Sequence, residues 1–238
     1  MNILAVGAHP DDIEIFCGGT LAKCAARGDK IFCCTATNGN IGSATLPKDE
    51  IAAIRKKEAA KAASLVGAEY ICLDFDDELF YEDVNARIKF INMVRHCQPD
   101  VILTHNPHDY NPDHELTSKI INDIEVMLPI AKIETEEPPC PKMPVIYYFE
   151  TEKGLGFIPT DYVDITDHFE TKKQMVLCHE SQKQWMADNY AGFSVDDTFI
   201  EDMVITSQYR GMQCGVKYAE AFIRCNDAYR VTPYRMLP

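Results

Sequence analysis

Apolar residues along this chain gather in short runs, each closed by a polar loop. The runs at 3–8, 30–36, 70–74 and 101–104 read as buried strands. All but the third lead quickly into positions of helical period. Ile13, Phe16, Leu21 and Cys24 fit one helix ending near Gly28. The segment IAAIRKKEAAKAASLVGA is the clearest helix, Ala-rich, charged on one face and closed by Gly67. Further helices are expected over 83–97 and from Pro112 onward. Strands alternating with helices predict an α/β fold with a mostly parallel sheet and right-handed crossovers. The second half is less regular. VIYYFET reads as a strand, 166–184 as a helix and 216–222 as another helix. ETEEPPCPKMP reads as a surface loop or a turn between subdomains. No repeat or domain boundary stands out, so one domain over 1–238 is expected.

Composition narrows the function classes. The chain has 238 residues, 37 acidic against 23 basic, and a formal charge of −14. That balance argues against nucleic acid and against anionic membranes, which need clustered Lys and Arg. No segment approaches the roughly 20 apolar residues of a membrane span. The N-terminus lacks a basic n-region and enters core strand at once, so the expected location is cytoplasmic. There are ten cysteines. Cys17, Cys24, Cys33, Cys72 and Cys97 sit in apolar, periodic segments without a CxxC pair, and read as reduced, buried thiols.

The candidate chemistry sits where two predicted strands end. VGAHPDD places His9, Asp11 and Asp12 after the first strand. THNPHDYNPDHELTS follows the fourth, with Pro112 and Asp113 suited to a first helical turn and His114 projecting from it. In parallel sheets ligands bind beyond the carboxyl ends of strands, so the two segments are candidates for one crevice. Two adjacent aspartates repel each other, and a cation between them and other ligands would remove that cost. His9, Asp12 and His114 offer two imidazoles and a carboxylate, a set suited to Zn²⁺ and nearly as well to Fe²⁺. Three protein ligands leave a position for water, as catalytic sites do. Asp11, beside ligand Asp12, is placed to take that water's proton. The blander reading, a turn or helix cap at Asp11–Asp12 and solvated histidines, stays open on spacing alone. The loop TNGNIGSATLPKDE, long for a βα connection, is a further functional candidate.

AHPDD near the N-terminus, PDH near the middle, HESQ at 179–182 and YAEAF at 218–222 resemble, in order, the motifs of the LmbE-like, PIG-L-type zinc de-N-acetylases. The resemblance implies a Rossmann-like sheet with an irregular C-terminal extension. It implies removal of acetyl from N-acetylglucosamine units, often joined to malate or inositol, and homo-oligomers such as trimers or hexamers. Carried over, the metal ligands fall on His9, Asp12 and His114, and the general base on Asp11. The family's R-x-x-E arginine falls on Arg55, with Glu58, as a substrate anchor. Its substrate-contacting aspartate falls on Asp77. His179 of HESQ takes a pocket-supporting role.

One position departs from the pattern. Many relatives carry His-Pro-Asp-His, whose first histidine polarises the carbonyl or protonates the leaving amine. This chain has Asn111-Pro112-Asp113-His114. Asn111 can donate to an oxyanion but cannot deliver a proton. His108, three residues upstream, or Asp11 after accepting a proton, is then the expected acid. The resulting expectation is a metal-dependent deacetylase acting on a small N-acetylated amino-sugar conjugate. Two alternatives remain open at this level: a Rossmann-like metabolite- or nucleotide-binding module without chemistry, and a metal hydrolase acting on another amide. Against the first, no GxGxxG follows the opening strand.

Overall fold

A computed structural model describes residues 1–189, 198–227 and 235–238. Among these residues, seven strands form one sheet in the order β3-β2-β1-β4-β5-β7-β6. The strands are β1 (Asn2–Gly7), β2 (Lys30–Thr37), β3 (Glu69–Phe75), β4 (Val101–Thr104), β5 (Val145–Phe149), β6 (Asp161–Asp164) and β7 (Ala219–Arg224). The first five are parallel. Strand β7 runs antiparallel to both β5 and β6. The α/β expectation therefore holds, and the sheet is mixed at one edge.

Side chains alternate faces along each strand, which divides the core in two. Ile3, Ala5, Val101, Leu103, Tyr147 and Phe149 face one side with helix α1 (Asp12–Ala26). Helices α2 (Lys48–Ser64), α5 (Phe169–Val176) and α7 (Thr198–Cys214) add Ala63, Phe169, Val176 and Met203 to that core. Leu4, Val6, Ile102, Ile146 and Tyr148 face the other side, under α3 (Val84–Cys97) and α4 (Pro112–Ile124). Both faces of the central strands are thus covered, which is why their sequences read as continuous apolar runs rather than as alternation. All ten cysteines are free, and eight of them are buried.

Two expectations for the second half are corrected. The run 166–184 is not one helix: a 3-10 turn at Thr166–His168 leads into α5, the chain turns, and α6 (Glu180–Asn189) follows. His179 lies in that turn, buried, with its Nε2 3.3 Å from Glu14 Oε2. Ser181 N–H and Oγ donate to Glu58 of α2 at 2.9 and 2.6 Å, which fixes the start of α6. The segment 216–222 is not a helix either, since β7 occupies 219–224 between β5 and β6. Ala and Glu favour a helix locally, but two flanking strands and full burial of Ala219, Ala221 and Phe222 override that preference. Glu220, also buried, accepts from Gly19 and Thr20 N–H and from Lys172 Nζ at 2.6–2.9 Å, tying β7 to α1 and α5. The acidic, proline-rich segment is surface chain leading into β5. Buried Arg95 pins its approach by donating to the carbonyls of Leu128, Ile130 and Ile133.

Candidate active site

Strand β1 lies between β2 and β4, so the chain leaves it toward one edge of the sheet and returns on the other side. Such a switch point opens a crevice at the carboxyl ends of the strands. Val6 pairs with Thr104, and the segments after β1 and β4 therefore start side by side. His9–Asp12 and His105–His114 meet there. Asn111 caps α4: its Oδ1 accepts from the N–H groups of Asp113 and His114 at 2.8 and 3.3 Å. Pro112 occupies the first turn. That cap aims His114 at the end of β1.

His9 Nδ1 lies 3.3 Å from His114 Nε2 and 3.5 Å from Asp12 Oδ2. His114 Nε2 lies 3.4 Å from Asp12 Oδ1. Donors at the corners of a tetrahedron around zinc, with bonds of roughly 2.0–2.1 Å, stand about 3.3–3.4 Å apart. The spacing and the two-imidazole, one-carboxylate chemistry therefore fit a divalent cation such as zinc or iron. Each imidazole also has a carboxylate at its other nitrogen. His9 Nε2 is 3.0 Å from Asp77 Oδ1 and 3.3 Å from Asp113 Oδ2, and His114 Nδ1 is 3.1 Å from Asp109 Oδ1. Such partners fix the ring orientation and raise the basicity of the nitrogen left for a metal.

The charges reflect this crowding. Burial opposes protonation of His9, but Asp113, Asp12 and Asp77 outweigh it and raise its pKa well above the ordinary value. Burial likewise opposes protonation of His114, yet Asp12 and Asp109 bring its pKa to about 9. Burial would raise Asp12, but His114 and His105 hold it well below the usual carboxylate range. Asp11 behaves oppositely: burial raises it to about 6, against the pull of Arg55. Adjacent carboxylates thus separate into one held anionic and one poised to exchange a proton.

Seven of the eight residues expected from the sequence line one cavity of about 610 Å³: His9, Asp11, Asp12, Arg55, Asp77, Asn111 and His114. His108 does not. Its ring is exposed and outside the lining, because its N–H caps Asn106 Oδ1 at 2.9 Å and the turn carries the side chain outward. The expected free amide of Asn111 is also engaged, since Nδ2 donates to Glu78 Oε1 at 2.7 Å. Arg55 is 3 % exposed rather than a solvated helix charge. Its Nη2 donates to Pro10 O at 2.7 Å and to Asp11 Oδ2 at 3.4 Å, and its Nη1 lies 3.6 Å from Asp77 Oδ2.

Sequence reasoning passed over three residues here. His105 is fully buried, stacked on His114 with centroids 3.8 Å apart, and its Nε2 lies 3.0 Å from Asp12 Oδ2. Burial and His114 push its pKa down to about 4. Its signal was its place as the first residue after β4. Asp109 and Asp113 were in plain view in THNPHDYNPDH, but the hydrogen bonds that assign them to His114 and His9 are tertiary.

The chain is similar to known proteins along most of its length. A diacetylchitobiose deacetylase of Thermococcus kodakarensis is 27% identical over 198 residues, covering 76% of this chain and 70% of the relative. A 4-oxalmesaconate hydratase of Pseudomonas putida is 25% identical over 194 residues, covering 76% and 74%. The structure of N,N′-diacetylchitobiose deacetylase from Pyrococcus horikoshii, complexed with an inhibitor, superposes with a TM-score of 0.81 at 25% identity. That match covers 98% of this chain and 86% of that one. The family model described as PIG-L, GlcNAc-PI de-N-acetylase, matches residues 4–124, from β1 through α4 and across every residue discussed above as a ligand, base or anchor. This chain belongs to the PIG-L family.

Proposed function

We propose that this protein is a metal-dependent hydrolase that removes acetyl from an N-acetylglucosamine-type sugar. The observation that carries the reading is the triangle of His9, Asp12 and His114 donors with Asp11 beside it, in a chain whose family includes deacetylases. His9, Asp12 and His114 would hold zinc or iron. Zinc, when bound, lowers the pKa of water to about 7 and polarises a carbonyl oxygen. Asp11 accepts the proton of the attacking water, and Arg55 keeps the Asp11 carboxylate aimed inward. Asp77 braces His9 and Arg55 at the cavity wall. Arg55 therefore positions the base; it is not a free anchor for an anionic aglycone.

The cavity also bears on the substrate. Its basic side chains are all paired among the described residues: Arg55 with Asp11 and Asp77, Lys153 with Asp202, and Lys172 with Glu220. A neutral sugar suits that lining better than a polyanion. The test is acetate release by zinc-loaded protein from a panel of N-acetylglucosamine, N,N′-diacetylchitobiose and an inositol-linked N-acetylglucosamine. Turnover of at least one, abolished by chelation and restored by zinc, is expected. Full activity in chelated protein would contradict the reading.

The hydratase relative favours one second reading. A water-activating centre can also add water across a carbon–carbon double bond. Hydration of an unsaturated tricarboxylic keto acid, with no acetate released from the panel, would select it.

A further inference from the structure

The proposed hydrolysis needs a proton for the departing amine, and the histidine that serves in the family pattern is Asn111 here. His108 is exposed and does not line the cavity. Tyr110 is 70% exposed, and partial desolvation by the cavity wall with nearby Asp12 and Glu152 raises its pKa further above the phenol range, which weakens it as an acid. The cavity's carboxyl groups are the remaining source. Nearly all are committed. Arg210 clamps Glu150, Lys172 pairs with Glu220, and Lys153 pairs with Asp202. Glu78 accepts from Asn111, while Asp11, Asp12 and Asp77 belong to the cluster already described. Glu152 lines the same cavity, and its carboxyl has no hydrogen-bond or ion-pair partner among the described residues.

Its place in the fold is suitable. Glu152 begins a 3-10 turn (Glu152–Gly154) just beyond β5. Phe149, the last residue of β5, packs edge-on against His105 at 4.7 Å between centroids, and His105 stacks on His114. Arg55 and the loop after β2 hold Asp11 on the other flank of the ligand triad. In a sheet ordered β2-β1-β4-β5, Glu152 thus follows the strand beyond β4, while the Arg55 that holds Asp11 packs under the loop after β2, on the far side of β1.

We propose that Glu152, with its carboxyl protonated, is the general acid that donates a proton to the nitrogen of the leaving amine. The inference rests on the deacetylase reading. Water adds its oxygen to the acetyl carbon and gives one proton to Asp11. The C–N bond then breaks, its electron pair goes to nitrogen, and nitrogen takes the Glu152 proton. Acetate and the free amine leave. Asp11 returns its proton to solvent, and Glu152 regains one. Burial raises the pKa of Glu152 despite Lys153, with Asp202 adding to the rise; His114 opposes it and Asp12 favours it. Tyr110 is the other titratable neighbour.

The experiment compares zinc-loaded wild type, Glu152→Gln and Glu152→Asp on two substrates. One is the acetamide of the panel that wild type cleaves fastest. The other is p-nitrophenyl acetate, whose leaving group departs without a proton. Glu152→Gln is expected to lose about 10²- to 10⁴-fold in kcat on the acetamide and at least tenfold less than that on the ester. It should keep the zinc content of wild type, and Glu152→Asp should recover part of the loss. Wild-type kcat should fall as pH rises through the pKa of the acid, and this limb should vanish in Glu152→Gln. In zinc-loaded wild type, the carboxyl ¹³C resonance missing from Glu152→Gln should titrate above the usual glutamate range. Equal losses on both substrates, an unchanged alkaline limb or an ordinary titration would overturn the assignment while leaving the deacetylase reading intact. Wild type that cleaves the ester but no acetamide would overturn both.

Discussion

Asp11 has a backbone that matches its proposed task. Its φ of 126° lies in a region that side chains other than glycine rarely adopt. Such a residue costs on the order of 1–3 kcal/mol and persists only where its surroundings over-determine it. Here Arg55 grips both the preceding carbonyl, at Pro10, and the Asp11 carboxylate. The strain turns Asp11 away from its neighbour Asp12, so that one carboxylate faces the imidazoles and the other faces Arg55. Asp11→Asn keeps the shape and removes the basicity. It is expected to retain zinc at wild-type stoichiometry and to lose about 10²- to 10⁴-fold in kcat on the acetamide, read by metal analysis and acetate release. Full activity would remove Asp11 from the role of base. At this scale the gathering of His9, Asp12 and His114 with Asp11 beside them was legible, because residue types and spacing after two strands mark one crevice. The environment of Arg55 was not, since an arginine on an Ala-rich helix looks the same whether it meets solvent or two aspartates.

The long loop after β2 illustrates what an element contributes. Gly39 has φ +69°, and a Cβ there would stand 2.5 Å from Arg55 Nη1. The loop therefore closes directly over the guanidinium, and its length is the chain needed to do so. Gly67, at the end of α2, has φ +64° with open space around it. Alanine at either site carries a similar backbone penalty of roughly 1–2 kcal/mol, or about 2–8 °C in Tm for a chain of this size. Only Gly39→Ala displaces Arg55. Thermal melts should show a loss in both variants, larger in Gly39→Ala because its Cβ also displaces buried Arg55, and acetate release should fall at least tenfold more in Gly39→Ala than in Gly67→Ala. Equal turnover in the two would show that the loop does not hold the base. The helix bounds near the site were readable because caps and breakers are local: Asp83 caps α3 through Ala86 N–H, as Asn111 caps α4. The break at His179 and the strand at Ala219–Arg224 were not, because burial by distant elements decides them.

At the scale of the molecule, the parallel half of the sheet follows from the alternation of strand and helix signals, while the pairing of β1 with β4, which that alternation does not fix, brings their ends together. The antiparallel edge does not follow, because β6 and β7 carry charged residues and pair with each other only after the chain has returned from α7. Yet that edge completes the cavity: Glu150 and Glu152 follow β5, and Glu220 lies on β7. No helix among the described residues is long and apolar enough to cross a membrane. In the proposed chemistry this switch point grips one divalent cation between two loops. Anomalous diffraction at the zinc edge from zinc-soaked crystals tests it most directly. The account predicts one strong peak within bonding distance of His9, Asp12 and His114. A peak instead at His105 and Asp109 or at Asp77 and Glu78, which could also gather donors, or no peak at all, would contradict it.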